Sequence, residues 1–200
     1  MSAKNDTSER ILDAAIALMT KKGYNPVTIR EIAKAVGLSE MTVFRHFPSK
    51  YAMLMAAMRR ASYTAIIEEV FTTHVRWELE HDLRCIMRRY LDVADQRMAT
   101  LRIYFSALGQ LDEHSTELVS DVTLFRERLT AYFEEMLRRG RIRQSLDALY
   151  LSSLFWNQIF GFVAMLVLGR KRAALDRDLY IENTVSMLIN GIAQEDEACR

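Results

Sequence analysis

Proline is scarce in this chain: among 200 residues only Pro26 and Pro48 occur. Proline lacks an amide donor and clashes with the preceding helical turn, so everything after Pro48 runs without the most reliable helix breaker. Cysteine is equally rare. Cys85 and Cys199 are too few and too far apart for a disulfide framework, which fits a reducing, cytoplasmic setting. Only seven glycines are present, and neither a Gly-rich phosphate loop nor a nucleophile elbow is among their contexts. Long apolar runs are missing too. The longest, Ile159 to Leu168 with Gly161 counted, is half of the roughly 20 residues a membrane span requires. The polar start MSAKNDTSER lacks a secretory segment, so neither a membrane partner nor export is expected.

Hydrophobic residues are what the chain has instead, at 50% of the total, enough for one substantial core and a small satellite. The expected fold class is all-α with about nine helices. A three-helix amino-terminal domain over residues 1–50 is followed by a larger helical domain over residues 51–200. The net charge of +1 conceals an asymmetry. Residues 1–60 carry ten lysines and arginines against five acids, which leaves that segment at +5 and the remainder at −4. A positive head on an acidic body suits a polyanionic partner, although a solvated lysine face gives the same count.

Helix one is expected to start near Asp6, which has capping-pair spacing to Glu9, and Ile11, Leu12, Ala15, Ile16, Leu18 and Met19 then recur with helical period. Lys21, Lys22 and Gly23 close it. Pro26 keeps the connector Tyr24–Val27 out of a helix. Beyond Pro48 the periodicity gives helices over about 49–73, 81–97, 99–110, 115–139, 145–168 and 175–194.

The most informative stretch is TIREIAKAVGLSEMTVFRHF, Thr28 to Phe47. Thr28 and Glu31 have the spacing of a capping box. Ile32, Ala33 and Val36 make an inner face, and Gly37 suits the positive φ of a tight interhelical turn. Ser39 caps the next helix, with Val43 and Phe47 facing inward and Glu40, Met41, Thr42, Arg45 and His46 outward. These are the marks of a helix-turn-helix, though capped short helices also occur in proteins that never meet DNA. The stretch TVFRHFPSKYAML, Thr42 to Leu54, resembles the end of the recognition helix and the start of the next helix in TetR-family repressors. The resemblance spans about residues 8–60.

That resemblance implies a transcription regulator that binds double-stranded DNA at a palindromic operator as a homodimer and answers to a small-molecule inducer. It assigns base contacts to Glu40, Met41, Thr42, Arg45 and Arg30. Phosphate contacts fall to Thr28, Ser39, His46 and Lys50. Phe44 stands where the family commonly has tyrosine, keeping the ring without its hydroxyl. Dimerisation is expected from the last two helices, through Leu151, Leu154, Phe155, Ile159, Phe162, Val163 and Leu166 with Ile181, Val185, Leu188 and Ile192. A hydrophobic or amphipathic ligand would meet Met87, Tyr90, Leu91, Tyr104, Phe105, Leu108, Trp156, Asn157 and Phe160, residues equally at home in an ordinary core.

Catalysis finds little support. Glu78 and His81 have metal-helix spacing, but the second motif of a di-metal bundle is missing. No catalytic residue, metal or cofactor is expected. A helical small-molecule or lipid carrier that does not bind DNA remains the rival reading, distinguished by binding to DNA at low salt.

Overall fold

The computed structural model describes residues 3–60, 64–107, 119–169 and 175–192. Among them the chain is helical: α1 (Ala3–Lys22), α2 (Ile29–Val36), α3 (Glu40–His46), α4 (Lys50–Arg60), α5 (Thr64–Glu69) with a π-helical turn at Val70–His74, α6 (Leu79–Gln96), α7 (Met98–Ala107), α8 (Val119–Arg138), α9 (Ala148–Val167) and α10 (Arg177–Ile192). Two compact units result: a head of Met1–Ser62 and Arg97–Val119, and a body of Tyr63–Gln96 and Ser120–Arg200. Leu108 and residues 115–118 of the expected fourth body helix lie outside the described residues.

The head is built around the stripe read on α1. Ile11, Leu12, Ala15 and Met19 are buried with Tyr24, Val27, Ile32, Ala33 and Val43, and Met53 and Leu54 of α4 complete the near side. Gly23 ends α1 at φ 85°, its amide donating to the Met19 carbonyl at 2.8 Å. Asp6 does not cap α1, because the helix begins at Ala3 and leaves Asp6 inside the first turn. Glu9 instead meets Arg60 at 2.9 Å.

α7 also belongs to the head. Its Ile103 and Ala107 are buried in the head core, and the Ser106 hydroxyl accepts the Tyr24 amide at 3.2 Å while donating to the Ile103 carbonyl at 2.7 Å. The sequence places this helix in the larger domain because it follows α6 directly. An apolar helix, however, does not announce which neighbour its buried face will meet.

In the body, α8 buries Phe125, Leu129, Tyr132, Phe133 and Met136, the three-and-four spacing of one buried stripe. It stops at Gly140, φ 65°; the amides of Gly140 and Arg141 reach back to Leu137 and Met136 carbonyls, both at 2.9 Å, a Schellman closure. Asp147 caps α9 by accepting the amides of Leu149 and Tyr150. By length and composition α9 would suit a bilayer, yet Leu151, Phe155, Ile159, Phe162 and Val163 are buried in the body, with Ser152 among them.

That burial corrects the expected dimer residues. Leu151, Phe155, Ile159, Phe162, Val163, Ile181, Val185 and Ile192 are internal, and Leu166 and Leu188 are half-buried. They hold the body itself together. Of the expected set only Leu154 is exposed, and the large apolar residues exposed with it on α9, α10 and their ends are Leu149, Tyr150, Phe160, Leu168, Leu175, Leu179 and Met187.

The place of α7 has a measurable consequence. Ile103→Ala should cost about 2–5 kcal/mol of head stability. Amide exchange at Ile11 and Leu54 should accelerate while that at Phe155 stays as it was; acceleration confined to the body would contradict the assignment.

Candidate nucleic-acid interface

Two short helices and the turn between them are fixed by local hydrogen bonds. Thr28 sits extended at the N-cap of α2 (φ −106°, ψ 155°). Its hydroxyl accepts the Glu31 amide at 3.2 Å, and the Glu31 carboxylate accepts the Thr28 amide at 3.0 Å, closing the capping box. Lys22, at the end of α1, reaches the same carboxylate at 2.6 Å. The Lys22 hydrogen bond, then the Thr28 amide, hold the Glu31 carboxyl down to about 2.

Gly37 ends α2 at φ 71°. A Cβ there would meet nothing within 4 Å, so the left-handed backbone, not crowding, is what calls for glycine. The Leu38 amide returns to the Ala33 carbonyl at 2.9 Å. Ser39 then caps α3 by accepting the Thr42 amide at 3.1 Å, with the two hydroxyls 2.9 Å apart. Val43 is fully buried, which turns the opposite side of α3 outward.

That outward side carries Glu40, Met41, Phe44 and Arg45, all exposed. Met41 is 79% exposed and Phe44 45%, large apolar surfaces left to water on a seven-residue helix. Thr28, Arg30 and Ser39 are exposed beside them, while Thr42 and His46 are half-buried. His46 Nδ1 lies 2.8 Å from the Ser8 hydroxyl, tying the end of α3 to α1. Arg10, also on α1, donates to the Val36 carbonyl at 3.2 Å and satisfies an open carbonyl at the end of α2.

Lys50 has a different role from the phosphate contact its charge suggests. Its ammonium donates to the carbonyls of Tyr24, Asn25 and Val27 at 2.8, 3.0 and 3.1 Å and stands 4.4 Å from the centre of the Tyr24 ring. All three donors are engaged. Lys50 is therefore a brace between α4 and the connector. Ser8, Arg10 and Lys50 escape sequence reading as positioning residues because their partners are 38, 26 and 23 to 26 residues away.

The residues expected around a ligand divide between the units. Tyr104 and Phe105 are on α7 in the head, their rings 5.7 Å apart. Met87, Leu91, Tyr90, Trp156, Asn157 and Phe160 are in the body. Met87 and Leu91 are buried, whereas Asn157 is exposed. Tyr90, Phe125 and Trp156 form an aromatic triangle with centroids 4.8 to 5.5 Å apart. The cavity beside Tyr90, bounded by Ile67, Val70, Ile86 and Phe125, is about 10 Å³, space for a single water at most.

The family model described as bacterial regulatory proteins of the tetR family matches residues 11–57, the braced head from α1 into α4. Residues 11–57 of the chain thus carry the amino-terminal domain of the tetR family. Along its whole length it is similar to YvkB of Bacillus subtilis (strain 168), an HTH-type transcriptional regulator, with 27% identity over 192 residues, 94% of this chain and 98% of that protein. Among solved structures, the TetR-family regulator PfmR of Thermus thermophilus shares the fold at a TM-score of 0.69 and 19% identity, covering 94% of this chain and all of its own. NalD, the secondary repressor of the MexAB-OprM multidrug efflux pump in Pseudomonas aeruginosa, superposes with a TM-score of 0.70 and 19% identity over 96% of this chain and 100% of that one. The protein is thus a DNA-binding transcriptional regulator of helix-turn-helix type.

The Glu31 shift sets the sign of a pH effect. A carboxyl lowered from 4.5 to about 2 on folding stabilises the head fully above pH 4.5 and loses that contribution as pH falls through about 2. Thermal melts of Glu31→Gln should lie below those of the unaltered regulator by a constant interval above pH 4.5, an interval that shrinks toward pH 2.

Lys50→Ala should lower head stability by about 1–3 kcal/mol and leave the salt slope of DNA binding changed by less than one. Arg45→Ala should change which base pairs are preferred in a selection from random DNA. A full unit lost from the salt slope of the folded Lys50→Ala variant would restore the phosphate role.

Proposed function

We propose that this regulator is a dimeric repressor that holds a palindromic operator with two copies of α3 and lets go when a small hydrophobic or amphipathic molecule binds its body. The observation that carries the DNA half is the outward face of α3, left open by a head that buries Val43 behind it. Glu40, Met41, Thr42 and Arg45 are the base readers in this reading, with Arg30 beside them. Thr28, Ser39 and His46 are the backbone contacts, and the Phe44 ring packs on sugar and phosphate.

One recognition helix reads too few base pairs for genomic selectivity, so two must sit about 34–36 Å apart on successive major grooves. The exposed apolar residues of α9 and α10 support a self-complementary surface. Tyr150, Leu154 and Gly161 recur along α9 at helical spacing, and Leu168 caps its end. Leu179 and Met187 lie on α10. α9 and α10 are neighbours, since Phe162 stacks on Tyr180 at 4.5 Å and the Tyr180 hydroxyl donates to the Gln158 carbonyl at 2.9 Å. Gly161, exposed and without a side chain, allows close approach of a partner helix.

Release would travel along the chain. α6 lies in the body and α7 in the head, with only Arg97 between them, so an altered α6 position is carried covalently to a helix that fills the head core.

Fluorescence polarisation with operator fragments selected from genomic DNA tests this. Tight, salt-sensitive binding is expected, and inducer and operator should weaken each other by the same factor. Absence of DNA binding at low salt would end the proposal. Leu154→Glu with Met187→Glu should convert a dimer to a monomer by light scattering and cut operator affinity at least tenfold, about 1.4 kcal/mol or more.

A further inference from the structure

We propose that the open groove along α6 is a binding site for an amphipathic organic anion, a carboxylate carried on an apolar body. The inference deepens the ligand half of the reading above by naming a place and a chemistry. It rests on a contrast of space. The interior cavity near Tyr90 is about 10 Å³, whereas the groove encloses about 940 Å³, and small-molecule sites commonly need several hundred.

The groove is lined by Arg84, Arg88, Arg89 and Arg141, with Trp77 and Ile189 as apolar surface. Their charges are not equally available. Arg84 is paired with Glu80 and Glu182, and Arg88 with Asp178 and Glu182. Of the lining acids, Asp92 is held by Arg177 and Glu80 by Arg84. Among the described residues Arg89 meets only a ring nitrogen of His74, at 3.2 Å, and the Arg141 guanidinium has no partner. Against these two guanidiniums stands Glu78, whose carboxylate pairs with no cation among the described residues. The unneutralised balance is positive, and a guanidinium fork matches a carboxylate in geometry as well as charge.

The apolar wall is held in advance. Trp77 has φ 65°, a left-handed backbone that a bulky residue adopts only when its surroundings impose it. Asp82, completely buried, imposes it from both sides by accepting the amides of Arg76 at 2.8 Å and Glu78 at 3.0 Å. The Tyr132 hydroxyl donates to the same carboxylate at 3.1 Å. The indole stacks on the Tyr132 ring at 5.8 Å and 12°, and Arg139 lies 4.4 Å from its centre. The strain therefore fixes an indole at the margin of a cationic groove, and strained backbone of this kind gathers at binding sites.

Isothermal titration of the full chain at low ionic strength, with octanoate and phenylacetate against octanol and phenylethanol, tests the proposal without DNA. At least one acid should bind, and its alcohol should bind about tenfold more weakly or not at all. Arg141→Ala should weaken the acid about tenfold and the Arg89→Ala, Arg141→Ala pair further, while Tyr90→Leu, beside the interior cavity, leaves it unchanged. Both arginines are exposed, so the variants should melt as the unaltered protein does; if the pair does not fold, Arg141→Gln alone carries the comparison. Binding of neither acid, equal binding of acid and alcohol, or affinity that follows Tyr90 instead of Arg141 would overturn the assignment. Acid binding without operator binding would count against the repressor reading and leave the groove standing.

Discussion

The head depends on one cation. At the first residue of α4, the Lys50 ammonium gathers the carbonyls of Tyr24, Asn25 and Val27. A connector of four residues between α1 and α2 makes no regular ladder, so its carbonyls need donors from elsewhere. A cation at a helix start opposes the helix dipole, and partial burial pulls the Lys50 pKa down. Three carbonyl acceptors hold the ammonium there nonetheless. With the connector tied to α4, Tyr24 and Val27 are buried, Thr28 is set extended to start α2, and the capped turn through Gly37 and Ser39 carries that placement into α3. The aim of the recognition face is thus inherited from a lysine that does not itself lie on it.

The elements legible in the sequence are those whose partners lie within a turn or so. Thr28 with Glu31, Gly37 and Ser39 with Thr42 are contacts over three or four residues, and backbone geometry settles them before any tertiary structure forms. The α8 stripe was legible for the same reason, because one helix face carries it. Lys50 was not, since nothing local distinguishes an ammonium bound to carbonyls from one waiting for a phosphate. Nor was the face of α9 that stays open. Its apolar residues run nearly all round, so periodicity cannot say which of Leu151 and Leu154 points home; the packing of α6 and α10 decides it.

α7 shows the same limit with a functional consequence. Ile103 and Ala107 complete a core begun by Ile11 and Leu12, so the head closes only after the chain has made most of the first half of the body. A core shared in this way makes the stability of the α3 platform conditional on a helix attached by one residue to α6. Packed cores respond to displacement by switching between arrangements instead of deforming smoothly. In the proposed reading, a shift of α6 reaches that packing through the single residue Arg97.

Charge on the head is sorted with comparable economy. Of the five acids in residues 1–60, Glu9 and Asp13 meet Arg60, and Glu31 meets Lys22, so these carboxylates brace helices against one another. Glu40 is different. It stands exposed in the first turn of α3, on the side left open, beside Met41 and Arg45. A free carboxylate brought near a phosphate backbone is repelled whatever the sequence, and only a donor such as the cytosine amino group in the major groove compensates it. The exposed thioether of Met41 likewise gains only against an apolar surface such as a thymine methyl. In the proposed reading both residues lower affinity for DNA at large relative to a basic helix of the same length, while the rest of the positive head restores it without regard to sequence. In that reading, selectivity on this helix comes from what Glu40 and Met41 decline to bind as well as from what Arg45 reads.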